Sequence, residues 1–300
     1  MRLTLEEATL RLKNDVVAIP TETVYGLAAS LHCPAAIDKI FTLKKRPRQN
    51  PLIIHLADRN EILDWADSLP PDFEKLTTLW PGPLTLVLPA QIDKIPEAVR
   101  AGLPTAAFRI PALKLTQELL KKTGPLVVPS ANLSGRPSST EPAHVEHDFG
   151  LDFPVLDDGQ TEKGLESTIL GFSQPYWRIL RQGALPPESF VPILGYLPDL
   201  APLNPERPDC PGQMFRHYAP KAKLVLSGPA DAILGFTERT YSLPLIPLGS
   251  LADPEDVAHN LYQALRSLDD QNLATVRLDL DFPTTGLCAT LRERLLKAAS

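Results

Sequence analysis

"IPTETVYGLAAS", residues Ile19–Ser30, closes an apolar run and then sets three hydroxyls, Thr21, Thr23 and Tyr25, around one carboxylate, Glu22. A buried strand does not favour so many hydroxyls, and a plain turn has no need of Tyr and Val. Val16–Pro20 reads as a buried strand. The hydroxyls then form a polar turn at its end, with Gly26 letting the backbone turn away.

Elements of both kinds surround this stretch. Thr4 and Glu7 form a T-x-x-E capping box that opens a helix through about Lys13. Pro34 suits the first position of a helix through Leu43, with Ile37, Ile40 and Phe41 on one face. Leu52–Leu56 reads as a strand, and Asp58 with Glu61 caps a helix to about Asp67. Further strands are expected at Leu84–Leu88, Ala106–Ile110, Leu126–Val128, Ser167–Leu170 and Trp177–Leu180, with helices near 72–79, 113–122 and 142–148. The mixture predicts an α/β fold on a twisted mixed sheet, because strands and helices do not alternate cleanly.

APLNPERPDCPGQMFRHYAP (Ala201–Pro220) is proline-rich and reads as an extended linker. After it come strands at Lys223–Leu226 and Thr275–Leu280, an apolar run at Leu243–Leu248, and helices near 254–267 and 285–298. The expected organisation is a catalytic domain over 1–200, a linker or lid over 201–220, and a small α/β, Rossmann-like domain over 221–300.

Composition bounds the function. With 43% hydrophobic and 22% charged residues the chain is globular, and its 32 prolines imply many rigid turns. A net charge of −6 argues against broad nucleic-acid binding, which needs a basic face. Cys33, Cys210 and Cys288 are far apart and form no CxxC pair, which fits a reducing cytosol. The charged, helix-periodic N-terminus is unlike a secretory signal, and no apolar run reaches membrane-spanning length. A cytoplasmic location is expected.

Four stretches carry groups suited to chemistry. In LKKRPRQNPLIIHL (Leu43–Leu56), Lys44, Lys45, Arg46 and Arg48 crowd a helix end. They either decorate the negative end of the helix dipole or, held rigid by Pro47 and Pro51, grip phosphate oxygens. VVPSANLSGRPSST (Val127–Thr140) is either an ordinary polar turn or an anion cradle past a strand end. Arg109 lies mid-strand; pointing inward it requires an anionic partner such as a ligand carboxylate. Glu166-Ser167-Thr168 leads into a strand, and Arg181 ends the strand of the following RILRQG stretch (Arg178–Gly183), within reach of a phosphate or of solvent. MFRHYAP in the linker either pins Phe215 and Tyr218 to a domain or forms a lid. P-loop, GxGxxG, HExxH and GxSxG signatures are absent, so any nucleotide is bound by another route.

Seven stretches in order, PTETVYGLAA, K-x-R-P-x-x-NPLIIH, WPGPLTLVL, AFRIP, PSANLSGRPSST, ESTI and LRQG, resemble the YrdC-like threonylcarbamoyl-adenylate synthase family over residues 5 to 195. FRHYAP and GLCATLRERLLKAA resemble its two-domain branch. The resemblance implies a catalytic domain enclosing a large concave pocket. It also implies a reaction in which L-threonine, bicarbonate or CO2, and ATP (with Mg2+) give threonylcarbamoyl-adenylate and pyrophosphate. The product would pass to a separate transferase that modifies tRNA, with no strong direct nucleic-acid binding by this chain.

Carried over by position, Thr23, His55, Arg109, Ser130 and Ser167 match the threonine-binding positions. Lys44, Arg46, Asn50, Thr105, Asn132, Thr140, Arg181 and Tyr218 match the ATP-binding ones, with Lys44 and Arg46 as catalytic charge neutralisers. Thr21 and Tyr25 are expected to shape the amino-acid pocket. One departure is Lys45, which stands where the family commonly has glycine. Three rivals weigh less: an RNA-binding module lacks its basic face, a hydrogenase-maturation carbamoyltransferase lacks its CxxC pairs, and a non-catalytic sensor would not need the K-x-R and S-x-N elements.

Overall fold

A computed structural model describes residues 1–202, 208, 210–212 and 217–300. The first part of the chain contains β1 (Arg2–Leu3), α1 (Leu5–Arg11), β2 (Val17–Ile19), β3 (Gly26–Ser30), α2 (Pro34–Lys44) and β4 (Ile53–His55). Next come α3 (Phe73–Leu76), β5 (Leu84–Pro89), α4 (Glu97–Arg100), β6 (Thr105–Arg109), α5 (Lys114–Thr123) and β7 (Leu126–Val127). α6 (Pro142–Phe149), β8 (Val155–Leu156), β9 (Thr168–Ser173), β10 (Tyr176–Arg181) and α7 (Val191–Leu194) complete it.

These ten strands form one mixed sheet in the order β1-β8-β2-β3-β7-β4-β6-β5-β9-β10. β4 runs parallel to β6, and β5 parallel to β9, whereas β2/β3, β5/β6 and β9/β10 are antiparallel. The central strands bury apolar residues on both faces, as a sheet covered on both sides requires: Ile54, Leu84, Leu86, Phe108 and Leu170 on one, and Ile53, Val87, Ala107 and Ile169 on the other.

The second part contains β11 (Lys223–Val225), β12 (Ala232–Gly235), β13 (Leu245–Pro247), α8 (Pro254–Asp270), β14 (Thr275–Leu278) and α9 (Gly286–Ala299). Its four strands pair in parallel in the order β11-β14-β12-β13 and build a separate core with α8 and α9. Asp253 caps α8 by accepting from the amides of Glu255 and Asp256. Among the described residues no helix is long and apolar enough to cross a membrane.

Two local expectations change. Residues 59–64 form a 3-10 helix rather than a longer α-helix. Gly26 does not turn the chain away: it is the first residue of β3, which runs back antiparallel to β2. A Cβ there would sit 2.2 Å from Val128 Cγ1 and 3.0 Å from the Pro129 carbonyl oxygen. Glycine is therefore required for close packing against the segment after β7. The small residues that follow it in "GLAAS" are the body of a buried strand.

Candidate functional site

A cavity opens where strand ends and neighbouring loops converge. Thr21 and Thr23 enter it from the loop after β2, His55 from the end of β4, and Arg109 from the end of β6. Ser130 and Asn132 follow β7, Ser167 precedes β9, and Arg181 ends β10. Arg46, just past α2, and His217 and Tyr218, just before the second domain, complete the wall. Nine of the residues expected from sequence thus come together: Thr23, Arg46, His55, Arg109, Ser130, Asn132, Ser167, Arg181 and Tyr218.

Four others lie outside the lining. Lys44 points away from the cavity, where its ammonium donates to the backbone carbonyls of Ser130 and Asn132, 2.5 Å from each. It is buried, and burial, together with Arg46, draws its pKa well below the ordinary lysine value. Asn50 supports Arg46 through its backbone carbonyl. Thr140 is fully buried beside His144, which accepts from its amide. Thr105 begins β6, four residues from Arg109, and lines a separate surface pocket with Val87 and Phe172.

The hydroxyls of the opening stretch divide by their partners. Tyr25 donates to the Gly159 carbonyl at 2.8 Å and accepts from the Asp158 amide, so it ties two loops behind the cavity wall. Burial pushes its hydroxyl pKa upward. Thr21 donates to the Val24 carbonyl at 2.7 Å, which leaves Thr23 as the donor in the 2.7 Å contact between the two threonine hydroxyls. Thr23 also accepts from Arg109 at 2.8 Å. One lone pair on the Thr23 hydroxyl remains for a ligand donor.

Arg109 is paired within the protein, a contact that nothing local in the sequence signals. One terminal nitrogen reaches Glu22 at 2.6 Å, with both side chains 4% exposed. Its Nε donates to the Gly82 carbonyl. Three of its five N–H groups are used, leaving one on each terminal nitrogen for a ligand. His55 beside it is held neutral, its pKa lowered to about 3 by burial and then by the Arg109 charge.

Among the described residues the cavity wall carries four arginines. Arg109 is balanced by Glu22, and Arg136 by Asp269. Arg46 and Arg181 have no carboxylate partner among the described residues. Arg46 donates to the carbonyls of Asn50 and Pro51, and Arg181 to those of Ser167 and Pro211. They repel one another: burial and then Arg181 lower the Arg46 pKa to about 9. Near them, buried polar atoms lack partners, namely Asn132 Oδ1, Arg181 Nε and His217 Nε2. A site of unbalanced cations and unsatisfied polar atoms is built for an anion with hydrogen-bonding groups.

Among the described residues Glu166 is the lining carboxylate. It accepts from Ser138 at 2.6 Å and from Tyr262, and it pairs with Arg294 at 3.2 Å. Glu22, Ser138, Glu166 and His217 are not among the expected binding residues, although each lies in a stretch singled out from the sequence: Glu22 in PTETVYGLAA, Ser138 in PSANLSGRPSST, Glu166 in ESTI and His217 in MFRHYAP. Met214, Phe215 and Arg216 of that motif lie outside the described residues.

A protein-family model described as "Telomere recombination" (Sua5/YciO/YrdC) matches residues 10–183, and one described as "Threonylcarbamoyl-AMP synthase, C-terminal domain" matches residues 188–300. The threonylcarbamoyl-AMP synthase of Bacillus subtilis is 38% identical, covering 98% of this chain and 92% of that protein. The one from Pyrococcus abyssi is 35% identical over 100% of this chain and 96% of its own length. The crystal structure of P. abyssi Sua5 complexed with L-threonine superposes with a TM-score of 0.89 at 32% identity, covering 100% of this chain and 96% of that one.

Proposed function

The chain belongs to the threonylcarbamoyl-AMP synthase family, and we propose that its first-domain cavity joins L-threonine, bicarbonate or CO2, and ATP by nucleotidyl transfer. It is an enzyme that forms threonylcarbamoyl-AMP, the precursor for threonylcarbamoyladenosine in tRNA. The observation that carries the ATP half is the pair of uncompensated arginines, Arg46 and Arg181, facing one cavity.

The threonine amine attacks the carbon of CO2, forming a carbamate and releasing a proton. A carbamate oxygen then attacks the α-phosphorus of ATP, and the bond from that phosphorus to the bridging oxygen breaks as pyrophosphate leaves. Carbamate and triphosphate repel, so cations must hold them in line. Arg46 and Arg181 supply that charge, and Asn132 and Tyr218 border the same space. Lys44 contributes from behind, fixing the loop that presents Ser130 and Asn132.

Threonine sits at the other end. The two free N–H groups of Arg109 face its carboxylate, the open lone pair of Thr23 accepts from its amine or hydroxyl, and Ser130 and Ser167 complete the surround. His55, neutral, adds no competing charge.

Among the described residues the cavity has no dedicated metal seat. Its lining carboxylate, Glu166, is saturated by Ser138, Tyr262 and Arg294. Among the described residues no cluster of three or more His, Cys, Asp or Glu side chains is placed to hold a metal. Magnesium therefore enters on the phosphate oxygens of ATP, as part of the substrate.

Pyrophosphate release measured with ATP, threonine and bicarbonate, and with each omitted in turn, tests the reading. Release is expected only with all three. Release that ignores threonine would overturn it.

A further inference from the structure

The second domain lies against the back of the cavity, and its last helix reaches the wall. Arg294, in α9, is fully buried. Its Nε donates to Glu166, a terminal nitrogen donates to the Gln182 carbonyl at 2.6 Å, and the other pairs with Glu293. Its guanidinium lies 4.9 Å from the centre of the Tyr218 ring, and Tyr218 stacks on Tyr262 of α8. Three parts of the wall therefore converge on one side chain: Glu166, the segment after Arg181, and Tyr218. One turn further on, Lys297 donates to the Gly212 carbonyl at 2.9 Å.

Glu166 lies between two cations with different duties. Burial alone raises its pKa, but Arg294 and then Arg181 more than offset this and hold it at about 2, so it is ionised. Arg181 bears on the carboxylate electrostatically yet forms no ion pair with it. Without Arg294, Arg181 would be the nearest cation left to balance a buried anion.

We propose that Arg294 is a positioning residue for ATP: by neutralising Glu166 from the second domain, it leaves the Arg181 guanidinium free for phosphate. This rests on the reading of Arg46 and Arg181 as the triphosphate site, and it gives the second domain a part in the reaction. A buried ion pair is a poor way to glue domains together, because well-packed apolar residues do it as well or better. Its position between an ionised wall residue and a phosphate cation gives it another use.

The test compares Arg294→Met with Arg294→Met/Glu166→Gln in steady-state pyrophosphate release. The single variant should raise KM for ATP by about tenfold or more, as expected for a lost buried charge contact, with a smaller change in KM for threonine. Removing the stranded carboxylate in the double variant should recover most of that loss, a coupling between contacting residues that packing damage would not show. Arg294→Lys, which keeps the charge, should fall between wild type and Arg294→Met. If Arg294→Met does not fold, Arg294→Lys carries the test alone: it should raise KM for ATP by less than about tenfold yet more than KM for threonine, and equal rises would overturn the proposal. A double variant no better than its single parent, or equal rises in KM for both substrates, would overturn the proposal. Failure of the wild-type enzyme to need all three substrates would instead overturn the reaction itself, so the two failures are separable.

Discussion

Replacing Arg109 by methionine removes one partner from the buried pair with Glu22 and leaves a carboxylate that is 4% exposed with no cation on it. Breaking such a pair costs about 3–5 kcal/mol. At about 2–4 °C per kcal/mol for a domain of this size, the melting temperature should fall by about 6–20 °C. Arg109→Met/Glu22→Gln removes the stranded charge and should recover more than half of the stability.

Threonine affinity, read by calorimetric titration, separates structure from binding. If the free N–H groups of Arg109 hold the substrate carboxylate, both variants lose about 2–4 kcal/mol of binding, roughly 30- to 1000-fold in Kd. A double variant that regains stability and also binds threonine like wild type would refute the reasoning. Arg109 would then serve only to neutralise Glu22.

Arg46→Ala should lower turnover about a hundredfold or more, the cost of removing one charge-stabilising donor. A pyrophosphate-release rate near wild type would remove Arg46 from the chemistry. Tyr25→Phe breaks two hydrogen bonds behind the wall, so it should cost about 1–2 kcal/mol in a denaturant melt. It should shift KM for threonine less than Thr23→Val does, and the reverse order would reassign the contacting hydroxyl. His55 and His144 are each held near 3 by burial, then by Arg109 and Arg266 respectively. In the unfolded chain they titrate near 6.5, so the folded state binds fewer protons between about pH 3 and 6.5. Stability should therefore fall as pH drops below about 6.5, by about 1.4 kcal/mol per pH unit for each histidine once fully within that window. Urea midpoints at pH 7 and pH 5 check this, and His144→Gln should flatten the slope.

The sequence carried the site's inventory better than its wiring. Thr23, Ser130, Asn132, Ser167 and Arg181 are assigned through the resemblance to the family's motifs; periodicity adds only that they stand beside strand ends. What periodicity misses is which charges meet. Arg109 and Glu22 are 87 residues apart, and Arg294 and Glu166 are 128 apart. Each pair exists because separate elements pack together, and neither residue announces its partner locally. β3 was missed for a related reason. Its "GLAAS" is too small and too short to look like a core strand, and it becomes one because β2 and β7 pair with its two edges.

The K-x-R element shows how a backbone conformation sorts two neighbouring cations. Lys44 ends α2 and faces the carbonyls of Ser130 and Asn132, while Arg46 faces the cavity. Between them Lys45 takes the left-handed conformation, φ 51° and ψ 42°, at the helix C-cap. That turn sends consecutive side chains to different sides of the loop, and it favours glycine. Left-handed geometry costs an L-residue about 1–2 kcal/mol, offset in a glycine variant by about 0.5–1 kcal/mol of extra unfolded-chain entropy. Lys45 is exposed and makes no ion pair. Lys45→Gly should therefore raise stability by about 0.5–1 kcal/mol while leaving KM for ATP unchanged. A stability loss would show that the lysine side chain contributes something the backbone argument omits. A rise in KM for ATP would place Lys45 among the phosphate contacts, with Arg46 and Arg181 no longer sufficient to account for the charge.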